Sequence, residues 1–205
     1  MPIKHLKASV GEQTIGSPLT LKEVLIRTEH PVFSLNLEIK STPIKNNLTP
    51  NPEEMVSLIL KDIKEHKLED RTLITSYDWR ILYELKKQNS NILRGFITLQ
   101  QGLTTTGKNI YENSPWMVKN YPLEELFLLP NIIKSLEGHV WSVFYRDVTK
   151  QNVELAHKHG LATCVWTVNR EQDIIRMIEY GVDGIITDYP KKVQEICKSK
   201  NIAWF

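Results

Sequence analysis

Two oppositely charged side chains lie two positions apart in the stretch Leu35-Asn36-Leu37-Glu38-Ile39-Lys40. In a β-strand alternate side chains face the same way, so Glu38 and Lys40 point to one side, about 7 Å apart along the strand. This pattern is typical of the polar outer face of a half-buried antiparallel strand. It also fits a polar interior at the end of a strand, with Glu38 binding a cation and Lys40 contacting an anion. The remaining sequence decides between these interpretations.

Other chemically capable side chains also follow predicted strands, and in α/β folds such side chains gather at the carboxyl ends of parallel strands. The positions at predicted strand ends are Glu38, Lys40, Ser76, Tyr77, Tyr145, Arg146, Trp166, Asn169 and Asp188. Together they suit a divalent cation bound by oxygen ligands and an anionic substrate. Magnesium or calcium fits better than zinc, because no histidine or cysteine joins the set.

Each of these residues also has an ordinary structural interpretation. Lys40 fits a solvated lysine at a strand end, and Trp166 fits a core aromatic residue. Asp188 precedes Tyr189 and Pro190, a pattern that starts turns. The assignment of these side chains to a site therefore depends on the elements that position them.

Apolar strand-like segments alternate with amphipathic helical segments along the whole chain. The predicted strands are residues 32–40, 73–77, 93–99, 140–145, 161–168 and 184–187. The predicted helices are a capped helix from Thr20 to before Pro31, residues 53–67, a helix capped by Asp78, and residues 123–136, 149–160, 171–180 and 191–200. Residues 100–121 are irregular, and connections of this length are usually functional or mobile.

This alternation predicts an α/β fold with about six parallel strands. The two candidate architectures are a doubly wound open sheet and part of a (β/α)8 barrel of the TIM type. No glycine-rich phosphate-binding fingerprint opens any predicted helix, which counts against a dinucleotide-binding sheet. The length of 205 residues allows one domain or two small ones, and with no linker or repeat we expect a single domain over residues 1–205.

Composition excludes several classes of function. Hydrophobic residues make up 41% and charged residues 24% of the chain, as in ordinary globular proteins. A net charge of +2 is too small to indicate nucleic acid as a partner. No apolar run reaches the roughly 18 residues of a membrane span, and residues 1–10 lack the apolar core of a signal peptide. We therefore expect a cytoplasmic protein without a transmembrane segment.

The carboxyl-terminal part of the sequence resembles that of glycerophosphodiester phosphodiesterases. The resemblance rests on Val165-Trp166-Thr167-Val168-Asn169, followed by Gly181-Val182-Asp183-Gly184-Ile185-Ile186-Thr187-Asp188. Three earlier segments agree in order: residues 18–25 with the helix before that family's Glu-Ile-Lys strand, residues 35–40 with the strand itself, and residues 75–78 with its Ser-Ser-Phe strand end. Residues 100–136 match poorly.

The resemblance implies a β/α barrel that hydrolyses glycerophosphodiesters to glycerol 3-phosphate and an alcohol, with a divalent cation, Mg²⁺ or Ca²⁺. It implies that Glu38 is a metal ligand and that Lys40 is a catalytic residue that holds or neutralises the phosphate. Trp166 would line the substrate pocket, and Ser76 and Asp188 are further candidates for substrate binding.

The family's early catalytic motifs do not occur in this sequence. There is no His-Arg-Gly and no His-Asp, and the one Glu-x-Asp, Glu171-Gln172-Asp173, lies at a predicted helix start, where acidic residues stabilise the helix dipole. Phosphodiester hydrolysis needs an acid and a base, each contributing about 10²- to 10⁴-fold. A single carboxylate is also a poor site for Mg²⁺ or Ca²⁺.

The sequence therefore predicts an incomplete barrel, resembling the carboxyl-terminal two-thirds of the family's domain, whose activity is impaired when it acts alone. A second chain, or exchange of strands with a copy of itself, would supply what is missing. Two alternatives stay open. One is a non-catalytic remnant or phosphate-binding module of the same fold, and the other is a phospholipase-like phosphodiesterase on the same type of barrel.

Overall fold

The computed structural model describes residues 20–27, 34–44, 48–88, 91–101 and 107–203. Strands and helices alternate along this part of the chain. The strands are β1 (Leu35–Ile39), β2 (Thr72–Ser76), β3 (Leu93–Thr98), β4 (Val140–Phe144), β5 (Ala162–Trp166) and β6 (Gly184–Ile185). The helices are α1 (Leu21–Arg27), α2 (Pro52–Glu65), α3 (Trp79–Lys87), α4 (Leu129–Ser135), α5 (Lys150–Lys158), α6 (Glu171–Tyr180) and α7 (Pro190–Ser199), with short 3-10 helices at Glu69–Arg71 and Glu125–Leu128.

The six strands form one parallel sheet in the order β1-β2-β3-β4-β5-β6. Sequential order with a helix after each strand is the arrangement of a β/α barrel and not of a doubly wound sheet. The sheet curls into a half-barrel, which confirms the predicted incomplete barrel. Within the described ranges, β1 and β6 are each paired on one side only. The antiparallel interpretation of residues 35–40 is wrong, because β1 pairs with β2 in parallel.

The main core lies between the sheet and the helices that cover its outer face. Ile74, Phe96 and Trp141 are buried there on three neighbouring strands. Trp79 of α3 packs edge-to-face on Phe96, with the ring centroids 5.0 Å apart, and its indole N–H donates to the carbonyl oxygen of Ile97 at 3.1 Å. The helices leave the opposite, concave face of the sheet uncovered, and this face holds the candidate site.

Several helix ends follow the predicted capping residues. At α1 the Thr20 hydroxyl accepts the N–H of Glu23 at 3.3 Å, and the Glu23 carboxylate accepts the N–H of Thr20 at 2.7 Å, which forms a reciprocal capping box. Asp78 and Thr149 cap α3 and α5 through their side chains. Gly181 ends α6 with a φ of +77°, a left-handed conformation that favours glycine.

The predicted helix over residues 123–136 is partly wrong, because its first half is a 3-10 turn and α4 begins only at Leu129. Pro130 lacks the N–H that a continuous helix needs, so the helix starts afresh there. The periodicity of residues 53–67 predicts one buried stripe of Met55, Leu58, Ile59 and Ile63, but in α2 Val56 is buried and Leu58 is exposed. Residues 184–187 are expected to form a buried strand, whereas β6 is half-buried because it lies at the edge of the described sheet.

The sequence leaves open whether residues 140–145 form a barrel strand or an added one. In the structure β4 pairs with both β3 and β5 and is therefore an internal strand of the barrel. The first part of the predicted helix that approaches Pro31 is α1, and its last predicted residues lie outside the described ranges. None of the described helices has both the length and the apolar character to cross a membrane.

We expect Phe96→Ala to lower the free energy of unfolding by about 3–5 kcal/mol, because the ring fills the core and supports Trp79. Leu93→Ala is the matched control on the same strand, since Leu93 is 48% exposed, and it should cost less than about 1 kcal/mol. Urea denaturation followed by circular dichroism measures both. Equal losses for the two variants would contradict the described core.

Candidate functional site

A cavity of about 500 Å³ lies on the concave face, near the carboxyl ends of the strands. Side chains from all six strands, or from residues directly after them, line its wall. They are Asn36, Glu38, Lys40, Thr75, Tyr77, Ile97, Ser142, Trp166, Thr167 and Ile186. The volume is within the usual range for small-molecule sites, which is about 300–1,000 Å³.

Strand β1 presents its polar side chains to this cavity. Asn36, Glu38 and Lys40 share the concave face, whereas Leu35 and Ile39 pack against the core on the other face. This is the placement that the interior-face interpretation expects. The position of β1 as an edge strand of a half-barrel leaves these polar groups open to solvent and to a ligand.

Glu38 and Lys40 form an ion pair, with Lys40 Nζ 2.7 Å from Glu38 Oε1. Their side chains are 41% and 80% exposed, so water screens the attraction and the pair contributes at most about 1 kcal/mol. Each partner can therefore exchange the other for a ligand of suitable charge at little cost. The carboxylate can accept a cation and the ammonium can contact an anion.

Trp166 faces Glu38 and Lys40 from the far side of the cavity, on β5. Its indole N–H donates to the carbonyl oxygen of Ser142 at 3.1 Å, and its ring packs against Phe144 with the centroids 5.3 Å apart. These contacts fix the orientation of the ring. Trp166 thus offers a rigid apolar wall, suited to the carbon atoms of a ligand whose charged part meets Lys40.

Tyr77 follows β2 and lines the same cavity. Its hydroxyl donates to the carbonyl oxygen of Gly107, and its ring meets Trp116 edge-to-face at 5.4 Å. Burial, with a smaller contribution from the negative charge of Asp147, raises the pKa of Tyr77 above its usual value. The phenol therefore stays protonated and acts as a hydrogen-bond donor at neutral pH.

The segment after β1 is held by a buried carboxylate. Asp78, at the start of α3, accepts a hydrogen bond from the Ser41 hydroxyl at 2.7 Å and pairs with Arg80 at the same distance. Ser41 follows Lys40 directly, so this contact fixes the direction in which the chain leaves the cavity. The ion pair also raises the pKa of Arg80 through the hydrogen bond to Asp78.

Two predicted site residues lie outside the cavity wall. Ser76 is completely buried on the face that the helices cover, where its hydroxyl donates to the carbonyl oxygen of Ile39 at 2.8 Å and accepts the N–H of Asp78 at 3.0 Å. Asp188 is exposed and accepts a hydrogen bond from the Asn169 side chain at 2.7 Å. Neither residue is among those that line the cavity, and the Ser76 hydroxyl is bonded to the end of β1.

Other residues that line the cavity were not predicted from the sequence. Thr75 donates from its hydroxyl to the Asn36 side-chain oxygen at 3.0 Å, which fixes the amide beside Glu38. Thr75, Ser142 and Thr167 are the polar members of this group, and Ile97 and Ile186 are the apolar ones. Alternation counted back from Tyr77 would have found Thr75, because residues two apart in a strand face the same side.

The oxygen ligands that the described residues bring to the cavity do not complete a magnesium or calcium site. Glu38 is the one carboxylate among the cavity-lining residues that the structure describes. No group of three or more histidine, cysteine, aspartate or glutamate side chains in the described ranges could hold a metal ion. Since Mg²⁺ and Ca²⁺ need six or more oxygen ligands, Glu38 can supply one ligand but not a site.

Comparison with known proteins identifies a family. The family model described as "Glycerophosphoryl diester phosphodiesterase family" matches residues 2–192. The glycerophosphodiester phosphodiesterase of Caldanaerobacter subterraneus subsp. tengcongensis is 32% identical over 192 residues, which are 92% of this chain and 67% of the relative. Lysophospholipase D GDPD1 of Rattus norvegicus is 26% identical, and the match covers 75% of this chain and 52% of that protein.

Solved structures share the fold of this chain. A structure from Silicibacter pomeroyi DSS-3, which is assigned to the glycerophosphoryl diester phosphodiesterases, superposes on this chain with a TM-score of 0.73. The two sequences are 31% identical, and the match covers 92% of this chain and 59% of that one. A phosphodiesterase from Oleispira antarctica, solved with the product sn-glycerol-3-phosphate, has a TM-score of 0.66 and 19% identity, over 89% and 62% of the two chains. The chain thus spans between half and two thirds of the length of these relatives.

The raised pKa of Tyr77 predicts a loss of stability at alkaline pH. The unfolded chain loses this proton near pH 10 and the folded chain only at higher pH, so the free energy of unfolding should fall as the pH rises above 10. Tyr77→Phe should remove part of that fall. Urea denaturation at pH 8 to 11 measures the free energy of unfolding, and Tyr83→Phe, at an exposed tyrosine, is the control. The prediction is refuted if the free energy of unfolding falls with pH as steeply in Tyr77→Phe as in the unmodified chain.

Proposed function

The chain belongs to the glycerophosphoryl diester phosphodiesterase family, and on that premise we propose that its concave face takes part in metal-dependent hydrolysis of glycerophosphodiesters to glycerol 3-phosphate and an alcohol. The observation that carries this proposal is the meeting of Glu38, Lys40 and Trp166 around one cavity of about 500 Å³. Charge and apolar surface are thus available on opposite walls for a small phosphodiester.

Each residue has a proposed role that follows from its place. Lys40 contacts the phosphate oxygens, since a charge-assisted hydrogen bond from an ammonium is one of the stronger polar contacts. Glu38 supplies one oxygen ligand to a divalent cation, and Trp166 packs against the glycerol carbons. Ser76 acts as a positioning residue through the carbonyl group of Ile39, which lies between the two charged residues. Asp188 orients Asn169 beyond the wall of the cavity.

The proposal requires groups that the described residues do not bring to the cavity. No histidine in the described ranges lines it, and Glu38 is its one carboxylate there. An acid for the leaving oxygen, a base for the attacking water and further metal ligands must come from elsewhere. We therefore propose that additional strands, from another polypeptide or from a second copy of this chain, complete the barrel.

The two edges of the sheet support this part of the proposal. β1 and β6 each expose one unpaired row of backbone groups within the described part of the chain. A groove of about 720 Å³ lies beside β6 and includes the apolar side chains of Val182, Ile185, Val193 and Ile202. An added strand would pair with such an edge, and the apolar wall of the groove would bury its side chains.

A non-catalytic phosphate-binding module is the second candidate function. The same shortage of acid, base and metal ligands among the described residues favours it, because binding a glycerophosphate needs only a cation for the phosphate, such as Lys40, and an apolar surface for the carbon atoms, such as Trp166. The two candidates differ in whether added barrel segments bring turnover.

We expect the purified chain alone to hydrolyse glycerophosphocholine at least about 10²-fold more slowly than the Caldanaerobacter relative, since a missing acid or base costs about 10²- to 10⁴-fold. Release of glycerol 3-phosphate is measured with calcium, with magnesium and with a chelator. The expectation is refuted if the chain alone shows chelator-sensitive turnover that is lost in Glu38→Gln but kept in the surface control Glu65→Gln. That result would show that the site is complete.

Adding the part of the Caldanaerobacter relative that lies outside the matched region should restore chelator-sensitive turnover. In that mixture we expect Lys40→Ala to reduce the rate at least about tenfold, because one charge-assisted contact to the phosphate is lost. Lys61→Ala, another exposed and ion-paired lysine, is the matched control and should leave the rate unchanged.

If the mixture shows no turnover, binding decides between the candidates. The phosphate-binding module is favoured if glycerol 3-phosphate binds the chain and binds the Lys40→Ala variant at least tenfold more weakly. Absence of both turnover and binding would count against both functions.

A further inference from the structure

A second cleft opens at the same end of the sheet, and the function proposed above does not use it. Its volume is about 340 Å³, and it lies between the segment after β4 and the start of α6. Three arginines, two tyrosines and one aspartate supply its polar wall. We call it the arginine cleft, and these residues are Tyr145, Arg146, Arg170, Asp173, Arg176 and Tyr180.

Two of the guanidinium groups converge on one aromatic ring. Arg146 lies 5.4 Å from the centroid of the Tyr145 ring, and its Nε donates to the Tyr145 hydroxyl at 3.0 Å. Arg176 lies 6.0 Å from the same centroid. Both cations are attracted by the ring but repel each other, and an anion between them would convert that repulsion into attraction.

The cleft carries an excess of positive charge. Asp173 is the one carboxylate on its wall, and it pairs with Arg176 at 2.9 Å. Neither Arg146 nor Arg170 makes an ion pair with any residue in the described ranges. Two guanidinium groups are thus left to meet an anion from solution.

Backbone donors add to these side chains. Arg170 is the N-cap residue of α6, and its side chain makes no capping hydrogen bond to the first turn. The N–H groups at this helix start therefore remain available to an acceptor other than a capping side chain. Arg170 and Asp173, at this helix start, line the cleft together with Arg146 from the segment after β4.

The arginine cleft and the concave cavity are neighbours. The ring of Trp166, on the cavity wall, lies 5.3 Å from that of Phe144, which in turn lies 5.0 Å from that of Tyr145. The N–H of Tyr145 also donates to the carbonyl oxygen of Trp166 at 3.2 Å. The packed rings of Phe144 and Tyr145 therefore lie between the two spaces, which are adjacent at the same end of the sheet.

We propose that the arginine cleft binds a phosphate monoester group. Guanidinium forks match the geometry of phosphate oxygens, and a doubly charged phosphate balances the charge of Arg146 and Arg170. The group has two possible sources. It is either a second phosphate on the alcohol part of the substrate, which rests on the function proposed above, or a separate phosphorylated ligand or free phosphate.

Titration of the purified chain with inorganic phosphate, followed by NMR of the backbone amides, tests the site without any need for turnover. We expect shifts at residues 145–146 and 170–173, with binding at least tenfold weaker when Arg146→Ala and Arg170→Ala are combined. Asp173→Asn should tighten binding, because it removes the one carboxylate of the wall. Lys61→Ala is the surface-charge control and should bind as the unmodified chain does.

Shifts confined to the surroundings of Lys40, or unchanged affinity in the double arginine variant, would overturn the proposal. Because this titration does not measure hydrolysis, failure of the phosphodiesterase function leaves its result unaffected. The two proposals can therefore fail separately.

A second titration distinguishes the sources. A glycerophosphodiester whose alcohol carries a phosphate monoester is compared with glycerophosphocholine. Binding at least tenfold tighter for the former, with the advantage lost in the double arginine variant, supports a phosphate on the substrate. A separate phosphate ligand is supported if both compounds bind equally well and inorganic phosphate still binds at the cleft when glycerophosphocholine is saturating.

Discussion

The parallel hydrogen-bond ladder from β1 to β6 is the constraint on which the site depends. Parallel strands point the same way, so their carboxyl ends meet at one end of the sheet, however far apart they lie in the sequence. This ladder brings Glu38 and Lys40 to the same cavity as Trp166, more than 120 residues later in the chain. The helices bury the outer face, and the concave face is left free for chemistry.

Much of this arrangement could be predicted because it is encoded locally. Alternation of strand and helix patterns gave the parallel sheet, and short-range capping chemistry placed the starts of α1, α3 and α5. The pairing of Glu38 with Lys40 on one face follows from strand geometry alone. Such features need no knowledge of the partner strands.

The sequence is less informative where tertiary contacts determine the environment of a side chain. Both faces of a parallel strand can be buried, so the sequence did not reveal that Ser76 faces the helices while Thr75 faces the cavity. Asp188 and Asn169 lie in neighbouring loops and bond to each other, which strand-end counting does not foresee. The arginine cleft was not predicted for the same reason, because its guanidinium groups come from segments that are brought together only by the fold.

The two strands that form the edges of the sheet in the described ranges differ in length, with five residues in β1 and two in β6. An incoming strand would therefore find a longer row of backbone donors and acceptors at β1 than at β6. Register would be determined at the long edge, whereas the short edge would rely on apolar packing in the groove beside it. If added strands complete the barrel as proposed, their pairing would therefore begin at the edge nearest Glu38.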